Sequence, residues 1–226
     1  MDAERSRRWE RWVMPPVFAG LALAVQGYRF GTTDQTIHLT LLRRLVEPGT
    51  LGHDLVASNA DAHASLFWHL QVPLVQAVGW ERLDLLYLAL YIGALVATFA
   101  LLQRIGETLF ERRLAWVLGP LFLVVFRACP AHVHTFEPSL INRTFCHPLV
   151  LYALLLALRG RVVPAAAVCG LAFDLHASTA SHTLLAVVVA GLVDPTQRRR
   201  LPMALLGFAV CASPLLIMVF YRGGPG

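Results

Sequence analysis

Long apolar runs separated by short arginine-bearing turns dominate this chain, and no other feature constrains its fold so strongly. Seven runs stand out, at about 13–29, 83–103, 114–129, 139–158, 162–176, 182–194 and 203–221. A helix that crosses a bilayer needs roughly 20 mostly apolar residues. The expected fold is therefore all-α: a multi-pass transmembrane helical bundle of seven spans, one integral membrane domain over 1–226. A first outer loop at 30–82 carries interfacial helices. Composition agrees, with 57% hydrophobic and 15% charged residues and a mean hydropathy of +0.60. Soluble domains average about 45–50% apolar and about 25% charged residues.

The turns set the orientation. All nineteen basic residues are Arg, and with the N-terminus inside, twelve of them fall in short cytoplasmic pieces. That follows the positive-inside rule. The same layout puts all nine His at the outer side or in the outer half of a span, although His played no part in building it. The outer face is thus the expected functional face. Spread over short loops, the net charge of +5 is explained by membrane sorting and implies no nucleic acid. The lack of Lys, with abundant Ala, Leu and Val, points to a GC-rich bacterial genome and so to the inner membrane.

Local signals refine the spans. Pro15 and Pro16 are placed in the first turn of the first span, where proline costs little. Ala22-Leu23-Ala24 also matches a small-x-small cleavage pattern, but the run is long enough to anchor and more spans follow. The four Cys (129, 146, 169, 211) show no C-x-x-C spacing and read as small core residues.

The stretch 28–84 is the one long segment that is not continuously apolar. Within it, 34–46 has the periodicity of an amphipathic helix lying on the membrane interface. Asp34 and His38 fall inside its apolar arc, one turn apart. A carboxylate there is partly desolvated, which suits a general base, and it equally suits a helix N-cap. His53-Asp54 follows Gly52 in a turn; it reads either as turn chemistry or as a pair for a sugar hydroxyl or divalent metal. The stretch 62–79, with His63, His69, Gln71 and Pro73, is too polar for a lipid-facing span and reads as re-entrant or interfacial.

Three further groups lie on the outer side. His132-x-His134 has the composition of a metal site, and a divalent metal ion is the one cofactor these residues raise. Glu137, Asn142, Arg143 and His147 flank the start of the fourth span. There Arg143 either snorkels to lipid phosphate or holds a substrate phosphate. Asp174 and His176 close the fifth span ahead of a polar bridge at 177–181. They either satisfy each other and backbone amides or face a wet cavity.

With these residues in place, the layout resembles the GT-C glycosyltransferase-like superfamily of polytopic membrane proteins. The resemblance is carried by an early span and then Tyr28-Arg29-Phe30-Gly31-Thr32-Thr33-Asp34-Gln35. A Pro-Gly-x-x-x-x-Asp turn at 48–54 follows. Glu137-Pro138-x-x-x-x-Arg143 then leads into a span ending Arg159-Gly160-Arg161, and the next span closes on His176. It implies polyprenyl-phosphate-linked sugars as donors, Asp34 as catalytic acid/base, Asp54 as a second acid and Arg143 as a phosphate contact. His38, His53, Glu137, His147, Asp174 and His176 join them as substrate-binding residues. The superfamily has more spans than seven and often a soluble domain. The chain is therefore expected to be a truncated or minimal relative, and a non-catalytic scaffold stays open beside the transferase. A transporter is the rival from another class, although its polar groups should run through the whole depth of the membrane. A haem protein would need His pairs deep within spans.

Overall fold

The computed structural model describes residues 3–32, 34–51, 53–54, 65–110 and 137–222. Among these residues every regular element is helical. The elements are α1 (Ala3–Gln26), α2 (Asp34–Val46), α3 (Leu66–Val78), a 3-10 turn (Trp80–Arg82) and α4 (Leu83–Leu109). After them come α5 (Asn142–Leu158), α6 (Val162–Leu175), α7 (Ala177–Val193), α8 (Pro195–Arg198), α9 (Leu201–Cys211) and α10 (Ser213–Arg222). The fold is all-α. The expected span at 114–129 lies outside the described residues.

Among the described residues one helix, Trp80–Leu109, is long and apolar enough to cross a membrane, with a mean hydropathy of 2.3 over its best stretch. Thirty residues span about 45 Å, more than the roughly 30 Å of a hydrocarbon core. Leu201–Cys211 and Ser213–Tyr221 pass the same test together but are bent by 55°. The other apolar helices are 10–17 residues long.

Several boundaries differ from the sequence expectation. Helix α1 begins at Ala3 and takes in the charged flank, so Pro15 and Pro16 sit inside it, not in its first turn. It ends at Gly27, whose φ of 77° needs glycine. The polar bridge at 177–181 is instead the first turn of α7. His176 caps that turn, its Nδ1 accepting from the Thr179 amide at 3.2 Å. The last apolar run breaks at Ala212 because Pro214 cannot donate within the next turn. Within the stretch 62–79, Leu66–Val78 forms α3, capped by Ser65.

Two of the packed groups among the described residues carry most of the core. One joins α1, α2, α3 and α4 through Phe18, Leu42, Trp68, Tyr87 and Phe99. The other joins α5, α6, α7 and α9 through small residues such as Ala153, Ala165, Ala166 and Ala204. Gly170 lets α6 and α9 meet closely: a Cβ there would lie 2.5 Å from the Phe208 carbonyl oxygen. Cys146 and Cys169 are buried and Cys211 is half-buried.

The bundle has two chemically different ends. At one, Arg11 pairs with Glu107 across α1 and α4 (3.1 Å), and the Gly160 turn packs on Gln197. The turns Arg159–Arg161 and Arg198–Arg200 lie at this end. At the other end, hydrogen bonds tie α2 to the segment before α5 and the cap of α3 to the end of α6, and the cavity described next opens there.

Candidate functional site

The site starts from the loop that delivers α2. Gly31 takes φ 70°, and its amide donates to Gln35 Oε1 at 2.6 Å. Gln35 is completely buried, and its Nε2 donates to the Leu140 carbonyl at 3.0 Å. The Arg29 amide donates to the Pro138 carbonyl, and the Tyr91 hydroxyl donates to the Glu137 carbonyl at 2.9 Å. The segment 137–140 is thereby held by three separate parts of the chain. It leads directly into α5, which begins at Asn142.

A second tie fixes α3 against the end of α6. Ser65 Oγ donates to the Leu175 carbonyl at 2.7 Å and accepts from the Phe67 amide. A serine that caps one helix and donates to the C-terminus of another satisfies orphan groups on both.

These ties enclose a cavity of about 330 Å³, lined by Asp34, Ile37, His38, Leu41, Ser65, Trp68, Asn142, Leu175, His176 and Ala177. That volume is at the small end of the roughly 300–1,000 Å³ typical of small-molecule sites. Asp34 is exposed at the first turn of α2, not partly desolvated as its place in the apolar arc implied, because that arc ends at the mouth of the cavity. The His38 ring packs on Trp68 with centroids 4.3 Å apart. His176 accepts at Nδ1 from the Thr179 amide, which assigns the proton of the neutral ring to Nε2. The cavity thus offers a carboxylate, two imidazoles, an amide, a hydroxyl and an aromatic face.

Arg143 follows Asn142. Its Nη2 pairs with Glu137 Oε1, while its Nε is buried without a partner. Its charge acts on both His147, one turn further along α5, and His176. Glu137 therefore holds Arg143 and does not line the cavity. Asp174 is buried and turns elsewhere: its Oδ1 accepts from the Leu215 amide at 3.1 Å, at the start of α10. That is the backbone-amide alternative raised from the sequence.

His53 and Asp54 lie in a turn beyond α2, where the Asp54 amide donates to the Leu51 carbonyl. Neither lines the cavity. His132 and His134 lie outside the described residues. Among the described residues no group of three or more His, Cys, Asp or Glu is placed to hold a metal ion.

Of the residues expected from sequence, the structure brings Asp34, His38 and His176 together and sets Arg143 beside them. Sequence reasoning missed Gln35, Ser65 and Trp68. Gln35 and Ser65 carry no titratable signal; Trp68 looks like an ordinary apolar residue of a weak apolar stretch. No known protein family, curated protein or solved structure matches the chain.

Proposed function

We propose that the chain is a seven-span inner-membrane protein, N-terminus cytoplasmic, that acts as a GT-C-like glycosyltransferase on a polyprenyl-phosphate-linked sugar at the outer face. One observation carries this reading: Asp34, His38 and His176, far apart in sequence, line one cavity with Trp68 and Asn142. A sugar ring suits that mixture, its C–H face on the Trp68–His38 aromatics and its hydroxyls on the polar groups.

The chemistry follows from the charges. Asp34 takes the proton of an acceptor hydroxyl, and the hydroxyl oxygen attacks the anomeric carbon. The bond from that carbon to the phosphate oxygen breaks, and the electron pair leaves on the polyprenyl phosphate. Arg143, held by Glu137 beside the cavity, neutralises the leaving phosphate through its charge. The orientation rests on the two ends of the bundle, arginine turns at one and the cavity at the other. The short apolar helices, at 14–17 residues, reach about 21–26 Å and suit spans that end at a wet outer cavity.

The test is transfer of labelled sugar from a polyprenyl-phosphate donor. Asp34→Asn should lower the rate about 10²–10⁴-fold, the usual worth of a general base. An unchanged rate would remove Asp34 from the chemistry and the proposal with it.

A transporter is the second reading, favoured by one feature. The α9–α10 pair is broken with a 55° bend, and buried Asp174 sits at the break. Proteoliposome uptake abolished by Asp174→Asn, without any transfer activity, would select it.

A further inference from the structure

A second cleft flanks the opposite face of α2. Its volume is about 310 Å³, and Phe30, Leu39, Arg43, Leu51, Trp80 and Leu83 shape it. On a helical wheel Leu39 and Arg43 point away from Asp34 and His38, so the two cavities do not share a wall of α2. Leu83 is the first residue of α4, and Trp80 opens the stretch long enough to cross a membrane. The cleft is therefore level with the end of that helix, where tryptophan and arginine favour the lipid headgroup zone.

The lining separates an apolar interior from a cationic lip. Phe30 and Leu51 are exposed, which leaves apolar surface open along the cleft. Leu51 has φ 60°, a left-handed conformation that a bulky residue rarely adopts. Arg43 stacks over the Trp80 ring at 5.8 Å and gives its Nε to Glu47 at 3.4 Å. Trp80 Nε1 also donates to Glu47 (2.8 Å), which fixes both partners. The two Nη groups of Arg43 have no partner among the described residues, so the free side of the guanidinium faces outward as a fork for a phosphate.

We infer that this cleft binds a phospholipid of the surrounding bilayer, one acyl chain between Phe30, Leu39, Leu51 and Leu83 and its phosphate on Arg43. It is independent of the sugar site and stands whatever that cavity does. Two facts select the occupant: the cleft's level at the end of the long apolar helix, and the charge complementarity of an arginine fork over an apolar slot.

The experiment uses the full chain, purified in detergent and titrated with dioleoylphosphatidylglycerol under native mass spectrometry. Wild type should retain one lipid. Arg43→Gln should weaken retention about tenfold, the effect of one charge-assisted bond, and Arg82→Gln, an exposed neighbour, should not. In nanodiscs of brominated phospholipid, the quenching lost on Trp80→Phe should be present in wild type and reduced in Arg43→Gln. Arg43 is exposed, and circular dichroism checks that the variant keeps its helices. Equal retention by wild type and Arg43→Gln overturns the inference, as does an equal loss in Arg82→Gln. Preference for polyprenyl phosphate over phospholipid, with the same Arg43 dependence, assigns the cleft to the substrate and overturns it too.

Discussion

Gln35 joins the loop before α2 to the segment before α5 through one buried amide. Its neighbour Asp34 takes its position from that tie. Gln35→Leu leaves the Gly31 amide and the Leu140 carbonyl without their partner, and unfolding in mixed detergent should show a loss of about 1–3 kcal/mol. Asp174 gives a contrast. Asp174→Asn keeps an oxygen for the Leu215 amide and should stay within about 0.5 kcal/mol of wild type, whereas Asp174→Leu should lose about 1–3 kcal/mol. A large loss in Asp174→Asn would show that the charge itself matters, as the transporter reading requires. At this scale the titratable residues were legible, because acids and imidazoles are conspicuous in an apolar chain. Gln35 was not: an uncharged amide among apolar positions looks like any polar residue on a half-buried helix.

Helix boundaries follow local chemistry that hydropathy alone does not weigh. The apolar runs located α4, α5 and α6 closely, because apolar composition is what both spans and buried helices share. The start of α7 was missed because 177–181 is polar, yet Ser and Thr suit a first turn and His176 supplies the cap. His176→Ala should remove that cap at a cost of about 0.5–2 kcal/mol, and His176→Asn should recover most of it. Close packing was also invisible in the sequence. Gly170→Val would drive a side chain into the Phe208 carbonyl and Cys211, and thermal unfolding should show a loss of about 1–3 kcal/mol. Unchanged stability in Gly170→Val would mean that α6 and α9 do not meet as described.

Over the described residues the bundle is polar along its axis, with arginine turns at one end and the lined cavity at the other. That separation was legible from charge placement, because the arginine-bearing turns punctuate the apolar runs. The convergence of Asp34 with His176 was not, because it depends on the Ser65–Leu175 and Gln35–Leu140 ties across long stretches of chain. The proposed orientation predicts that a single cysteine reporter at Arg199 labels only from the cytoplasmic side and one at His53 only from outside. The reverse pattern would invert the proposed topology.

The most direct measurement is binding of a polyprenyl phosphate to the detergent-purified protein, wild type against Arg143→Ala and Asp34→Asn. Arg143→Ala is expected to lose binding while Asp34→Asn keeps it, separating a phosphate contact from a catalytic acid. A folded wild type that does not bind the lipid phosphate would contradict the proposed function.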